Sequence, residues 1–399
     1  MELRENTNKL LKVFSRILLS VRNLQLLMSL LIIIVLISSC TGQKDSEHFS
    51  FINREDLPKI IPNHIRTVGS TSDFFFGDII DVKILENGKI IVLDEQKMSV
   101  HLLSKDGAYE KNLEFRGRGP GEIQNLSKRL RIATDDIVAI DDYMMYKISL
   151  YQIIENKFDH LTDVALESSF ENYFLKKDYK LILKRSGKNN GEKSIETIQV
   201  VDIQDHVEEE PILKFPAHEE IFLTANMGGL SLNLETSTEF HTRNIFCVED
   251  NRLYHVRTDS LGFRVYDSMN GEKLFKFNYD QDPERLSLEE KESVIDSLLD
   301  NGSELWDERV REKLITEMPD FKPLVKSVKC DLPNGIWLEL MEEEQERWLL
   351  LSENGEIKGL FNNNLEGKII SFHKGNIFTS NISEEGEIVL DTYNYKITQ

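Results

Sequence analysis

A chain of 399 residues with 69 acidic and 48 basic side chains is long enough for two ordinary domains or one large all-β domain. Its formal charge of −21 repels phosphate backbones, which argues against a nucleic-acid partner and fits solubility outside the cytoplasm. Three cysteines leave at most one disulfide once Cys40 is set aside, and no zinc-ligand spacing occurs.

Met1 to Asn23 carries Arg4, Lys9, Lys12, Arg16 and Arg22 against Glu2 and Glu5. Leu24 to Ile37 is an apolar run of 14 residues, broken by Gln25 and Ser29 and shorter than the ~20 residues of a spanning helix. A basic region, a short apolar core and small residues at the end make an export signal, residues 1–39. Its end, Leu36-Ile-Ser-Ser-Cys40, resembles a lipobox, whose cysteine is acylated and becomes the new N-terminus. The expectation is a lipid on Cys40, a linker over residues 40–60, and attachment to the outer membrane of the cell envelope, on its periplasmic or surface side. An uncleaved single-pass anchor is the rival reading, and it too places the body outside the cytoplasm. Cleavage removes five basic and two acidic side chains and leaves a body at −24.

Beyond the linker the chain repeats one design: a turn, a short β-rich run, polar residues, a second β-rich run, another turn. Segments of this kind start near residues 87, 135, 178, 250, 334 and 374, and the gaps of 48, 43 and 40 match one four-stranded propeller blade. Lys105-Asp-Gly, Met269-Asn-Gly and Glu353-Asn-Gly supply turns after the second run. Asn63 to Val68 is a strand placed to join the last hairpin near Tyr393 to Ile397 and close the ring. The fold expected over 61–399 is therefore an all-β, six-bladed β-propeller.

Two gaps, of 72 and 84 residues, need insertions. Pro283 to Pro319 reads as a helical hairpin between blades four and five. Ser287-Leu-Glu-Glu290 has capping-box spacing, Val294, Ile295, Leu298 and Leu299 recur at helical intervals, and a second helix runs from Glu304 to Glu317. Ala217 to Phe240, with Met227-Gly-Gly229 and a Ser/Thr-rich end, reads as a long loop.

Leu102 to Ala108, then Phe115-Arg-Gly-Arg-Gly-Pro-Gly-Glu-Ile123, resembles the six-bladed β-propeller lipoproteins of Gram-negative bacteria, a TolB-like or NHL-like group. A Gly-Arg-Gly-Pro-Gly-Glu segment follows the first full blade in that group. Gly335-Ile-Trp337 and the helical stretch before it match further features. The resemblance implies fold and location, while the group's biochemical role is mostly undefined.

Arg116, Gly117, Arg118, Gly119, Pro120, Gly121 and Glu122 form the most unusual local feature. Alternating glycines permit a tight path and proline stiffens it. One reading presents Arg116, Arg118 and Glu122 to an anionic or polyhydroxylated ligand. The other, preferred on its simplicity, is an inter-blade crossover with Glu122 bonding backbone amides or an arginine. The glycine spacing is not that of a dinucleotide site.

No nucleophile elbow, zincin motif or Walker loop occurs, and the nine histidines are scattered singly. Asp94, Asp202, Asp267 and Asp391 end strands and are read as turn caps, the alternative being Ca²⁺ ligands of a central channel. Cys247 and Cys330 sit in strand-like runs and are read as buried free thiols rather than a bridge. Trp337 and Trp348 are read as packing residues, with Trp306 beside them. The expected function is that of a monomeric, non-catalytic binding or scaffold module for a protein or glycan, without a cofactor. A metal-dependent lactonase or hydrolase with a calcium-binding channel is the alternative.

Overall fold

The first two blades of the ring are built around pairs of strands buried largely on both faces. The computed structural model describes residues 54–398 other than 70–73, 127–128, 135–136, 143, 167–171, 176–179, 189–193, 204–206, 209, 218–220, 228–229, 301–307, 332 and 343–344. The export segment, Cys40 and Trp306 lie outside the described residues.

Strand β1 (Lys59–Val68) precedes the first blade, which is β2 (Ile79–Ile84), β3 (Ile90–Asp94), β4 (Ser99–Leu103) and β5 (Tyr109–Glu114). The second blade is β6 (Arg131–Thr134), β7 (Ile137–Asp142), β8 (Lys147–Ile154) and β9 (Lys157–Ala165). The third comprises β10 (Asn172–Leu175), β11 (Lys180–Lys188) and β12 (Ser194–Asp202), its outer edge shared by β13 (Val207–Glu208) and β14 (Leu213–Pro216). A separate antiparallel hairpin, β15 (Ile221–Met227) with β16 (Leu230–Thr236), comes before the fourth blade. That blade is β17 (Asn244–Glu249), β18 (Arg252–Arg257), β19 (Leu261–Asp267) and β20 (Lys273–Tyr279). Helices α1 (Leu288–Asp300) and α2 (Glu308–Glu317) lead to the fifth: β21 (Val325–Asp331), β22 (Gly335–Leu340), β23 (Arg347–Leu351) and β24 (Ile357–Asn362).

The sixth blade takes β25 (Lys368–His373), β26 (Asn376–Ile382) and β27 (Ile388–Thr398) from the C-terminal end and β1 from the other end of the domain. The closing strand is antiparallel to β27, in a register from Lys59↔Thr398 to Val68↔Leu390 with one irregularity between His64 and Arg66. Closure by strands from both ends leaves no blade with a long free edge.

The six predicted hairpins are the second and third strands of the six blades, for example β3 with β4 and β22 with β23. The burial explains their legibility. All five residues of β3, all five of β4 and all six of β7 are buried, so these strands read as apolar runs. An apolar layer lies between each pair of neighbouring blades. Examples are Leu93, Leu102 and Val138 between the first two, Phe215, Phe246 and Leu253 between the third and fourth, and Ile60, Trp337 and Phe372 between the last two. Trp337 and Trp348 are buried core residues, as read from the sequence.

Two expectations are corrected here. The stretch read as a long loop, Ala217 to Phe240, holds the β15–β16 hairpin. Alternation in Leu230-Ser-Leu-Asn-Leu234 after Gly228-Gly229 carried that signal, which the composition of the segment's end obscured. The hairpin's Ile221 packs with Phe240, Ile295, Leu314 and Met318, so the two insertions cover one another's apolar faces. In α1 the capping box forms as spaced: Glu290 N–H reaches Ser287 Oγ at 3.2 Å while Ser287 N–H donates to Glu290 Oε2 at 2.7 Å.

Cys247 and Cys330 are the second correction. They are joined as a disulfide with Cα atoms 5.7 Å apart, not held as free thiols. Their strands, β17 and β21, are the innermost of blades four and five and lie side by side. Sequence spacing could not pair them, because 83 residues separate the two and only ring closure sets the strands adjacent.

Candidate functional site

The Arg116–Glu122 crossover leaves the last strand of blade one and enters blade two. It is pinned at both ends by the buried residues Phe115 and Ile123, which hydrogen-bond to each other through Ile123 N–H at 2.6 Å. Inside the turn the Glu122 carboxylate folds back and accepts the Gly119 N–H at 2.7 Å. A Cβ on Gly117 would overlap that carboxylate. Gly121 has φ of +73° and sits against the His160 ring, so a side chain there meets both strain and a neighbour. Its N–H donates to Asp163 at 3.1 Å, and its carbonyl accepts from the Tyr151 hydroxyl. Lys147 Nζ bonds the Glu122 carbonyl at 2.6 Å and lies 3.3 Å from Asp163. The structure thus brings the glycines, Pro120 and Glu122 together with Lys147, Tyr151, His160 and Asp163 of blade two. Arg116 and Arg118 project outward as exposed side chains.

Asp163 is the hub of that junction. Burial alone would raise its carboxyl pKa, but hydrogen bonds from Ser149 (2.6 Å), Gly121 and His160 (2.9 Å), with Lys147 nearby, hold it below the usual carboxylate range. Ser149, His160 and Asp163 have the composition of a hydrolytic triad without its wiring. The Ser149 hydroxyl donates to the carboxylate and not to the imidazole, so no base is placed to take its proton. A second such trio, Ser99, His101 and Asp94, is almost wholly buried, and both oxygens approach the same His101 nitrogen, Nε2, at 3.1 and 3.4 Å. In a third, Thr67, His64 and Asp391, the hydroxyl donates to the carboxylate at 2.5 Å and lies 3.1 Å from His64 Nε2. These trios tie strands to one another.

Of the aspartates read as strand-ending turn caps, Asp94 and Asp267 do cap turns, whereas Asp391 lies within β27 and accepts from the Thr67 hydroxyl of the closing strand. Asp94 accepts the N–H groups of Gly77 and Lys97 at 2.6 and 3.0 Å, and Asp267 those of Met269 and Asn270 at 2.9 and 3.1 Å. Neither lines the central channel, nor do Asp202 and Asp391.

Sequence reading raised a central channel but named none of the residues that line it. The innermost strand of each blade, β2, β6, β10, β17, β21 and β25, contributes to a cavity of about 380 Å³. Its charged lining is Lys83, Arg129, Arg131, Lys184 and Lys329 against Asp81 and Glu249. Asp81 accepts the Leu130 N–H of the next blade at 2.8 Å and that of Val82 at 2.9 Å, and lies 3.7 Å from Lys83. Lys184 is 3.2 Å from Glu196, a fully buried carboxylate behind the wall. Lys329 reaches the channel's solvent yet is surrounded by protein. Enclosure is the chief cause that lowers its ammonium pKa to about 8; Asp81 opposes it, while Lys83, Arg129 and Arg131 add to it. His373, half-buried and beside Lys83, is pushed down to about 3 chiefly by desolvation and is neutral, donating from Nε2 to the Ile84 carbonyl at 2.9 Å.

Calcium needs several oxygens converging at about 2.3–2.6 Å. The channel presents ammonium and guanidinium groups instead, and among the described residues no three His, Cys, Asp or Glu side chains gather to hold a metal ion. The residues present do not fit Ca²⁺. Among the described residues no helix is long and apolar enough to cross a membrane.

No curated protein matches the chain. Among solved structures, a protein of Bacteroides fragilis described as exported aligns with a TM-score of 0.52 at 12% identity, over 88% of this chain and 98% of its own. A member of the DUF4221 family from Bacteroides vulgatus aligns with a TM-score of 0.47 at 9% identity, over 85% of this chain and 99% of its own. At such identities the likeness is one of fold. The family described as DUF5128, 6-bladed beta-propeller, matches residues 68–269, from the closing strand to the turn after β19. With just over half the chain matched and six blades closed by β1, the protein belongs to this 6-bladed β-propeller family.

Proposed function

We propose that this propeller is a non-catalytic binding module of the cell envelope, a monomer held to the outer membrane by an acylated Cys40. Its partner is a protein or glycan, and it holds no resident metal. Kinship with TolB-like and NHL-like lipoproteins is part of the same reading. The observation that carries it is the channel: six strands converge on a cavity of about 380 Å³ lined by hydrogen-bond donors and cations. The serine, histidine and aspartate trios elsewhere are wired as structural ties. The leader and Leu36-Ile-Ser-Ser-Cys40 support export and lipidation, and a disulfide between Cys247 and Cys330 suits an oxidising compartment. The Bacteroides fragilis neighbour described as exported is in keeping with that location. The Arg116–Glu122 crossover is assigned a structural role, with its polar atoms committed to blade two.

Two measurements test this reading. Cells fed a labelled fatty acid are expected to label the native chain and not Cys40→Ala, which leaves the membrane fraction. Purified mature protein is expected to retain a defined glycan or envelope protein and to turn over neither lactones nor esters. Metal-dependent turnover by the purified protein would overturn the non-catalytic assignment.

A further inference from the structure

Blades one and two repeat one turn design on the same face of the ring, and in blade two its tip is apolar. Asp94, at the end of β3, accepts the N–H groups of Gly77 and Asp78 from the incoming segment and that of Lys97 in the turn to β4. Asp142, at the end of β7, does the same. It accepts the Gln124 N–H of the incoming segment at 2.7 Å and those of Met144 and Met145 in the turn at 3.2 Å. The tip so capped is Met144-Met145-Tyr146, with exposures of 60%, 54% and 43%. The Tyr146 carbonyl accepts the Leu166 N–H at 2.8 Å. Large apolar side chains are thus presented on a turn whose named backbone groups are already bonded, which is what entry into a poorly hydrated medium requires.

The surroundings of the tip extend it into a patch. Lys147, next in sequence, bonds the Glu122 carbonyl of the crossover, which sets the tip beside the exposed Arg116 and Arg118. The turn of blade one borders the start of the crossover, where Phe115 N–H donates to the Met98 carbonyl at 3.2 Å. There Phe75 is 58% exposed and carries the Lys97 ammonium 3.3 Å over its ring. Asp78 and Glu95 stand in the same segments, so apolar area, and not a surplus of cations, distinguishes the patch. The corresponding turns of blades four and six, Asp259-Ser260 and Ser383-Glu-Glu-Gly-Glu387, are polar or acidic. None of the patch residues lines the channel.

We propose that this patch is a membrane-docking surface that seats blades one and two on a phospholipid bilayer bearing anionic headgroups. Met144, Met145 and Phe75 enter the boundary between headgroups and acyl chains, and the Tyr146 ring lies at headgroup depth. Arg116 and Arg118 meet the lipid phosphates. The crossover keeps its structural role, and only its two outward arginines take part. The tether argues for this occupant. Cys40 and Arg54 are 14 residues apart, a reach of at most about 50 Å. That is close to the width of a domain of this size. A lipid on Cys40 thus keeps the domain within about its own width of the bilayer, and at the high effective concentration a short tether gives, a small apolar tip suffices to dock it. The proposal rests on the acylated, envelope-facing reading above and adds the face that meets the membrane.

Vesicle flotation tests it on the mature chain with Cys40→Ala, so that no anchor contributes. Vesicles of phosphatidylethanolamine with phosphatidylglycerol are expected to bind the protein, and vesicles of phosphatidylcholine to bind it severalfold less. Met144→Ser combined with Met145→Ser is expected to weaken binding at least tenfold, and Phe75→Ser and Arg118→Gln severalfold each. Ile382→Ser, at a side chain 65% exposed beside the acidic turn of blade six, is expected to change nothing. All of these side chains are exposed, so each variant is expected to melt with the native protein. As a second readout, Met145→Trp should add a blue-shifted emission to that of the native chain when anionic vesicles are present. No vesicle binding by the Cys40→Ala chain, binding unaffected by the methionine pair, or an unshifted tryptophan would overturn the proposal. A methionine variant that loses a retained envelope protein, with vesicles binding neither chain, would also overturn it and make the patch a protein-docking site. Vesicle binding by the unlipidated chain with no fatty-acid label on Cys40 would refute the anchor and leave the patch standing. Label on Cys40 without vesicle binding would do the reverse.

Discussion

The Arg116–Glu122 crossover and the central channel are both rich in unusual charge, and they handle it in opposite ways. In the crossover, Glu122 caps Gly119, Lys147 bonds the turn's carbonyl, and Asp163 collects donors from two strands. Its polar atoms are answered within one junction, and only Arg116 and Arg118 point to solvent. In the channel, cations and carboxylates from separate blades line one shared cavity. A conspicuous motif can therefore be a solved backbone problem, whereas the channel wall is assembled only when the ring closes.

The largest effect expected from disturbing either region is loss of the Cys247–Cys330 bridge in the channel wall. The bridge closes a separation of 83 residues, for which chain entropy gives about 4–5 kcal/mol. The double Cys→Ala variant is expected to lose that much in denaturant unfolding, and a reductant should leave the variant unaffected while lowering the native midpoint. Gly121→Val comes next, at about 2 kcal/mol, since φ of +73° disfavours a branched side chain beside the His160 ring. An equally stable variant would show that the crossover is not the demanding turn described.

A third test separates the regions by pH. Lys329, at about 8, is charged below that value and neutral above it. The groups around it are Asp81, Lys83, Arg129, Arg131, Lys184, Glu249 and the neutral His373. Because folding lowers this pKa, the native protein is expected to gain stability relative to Lys329→Met as pH rises from about 8 towards 10, read from denaturant midpoints. Asp163 titrates in the acid range instead. Its folded pKa lies below its unfolded value, so its stabilisation is present above about pH 4 and lost as pH falls through the folded pKa. Asp163→Asn is expected to cost about 1 kcal/mol at pH 7 and nothing near pH 2, read from denaturant midpoints. Smallest of all, Arg118→Ala should change stability by less than about 0.5 kcal/mol, because the side chain is exposed.

How much of this was legible depends on which strand of a blade is considered. The second and third strands, such as Ile90–Asp94 and Ser99–Leu103, are sandwiched between neighbouring blades and are rich in apolar residues, so their composition announces them. The outer strands face solvent, as the half-exposed Tyr109–Glu114 does, and lose that signal. The inner strands, such as Val325–Asp331, mix lysine, serine and cysteine because they front the channel; the runs around Cys247 and Cys330 look strand-like, but nothing in their order pairs them or places them on a channel wall. The crossover was legible because its demands are local: seven consecutive residues make a turn that needs glycine.

From the sequence alone came the repeat of six hairpins, the closing strand near Asn63 and the capped helix after Ser287. Each of these depends on the order of neighbouring residues, through apolar period, turn chemistry or capping spacing. The disulfide, the hairpin packed on the insertion and the cationic channel were decided by the tertiary structure. Lys83, Arg131 and Lys329 lie in strands of blades one, two and five. No local interaction relates them, and only closure of the ring brings their charges onto one cavity.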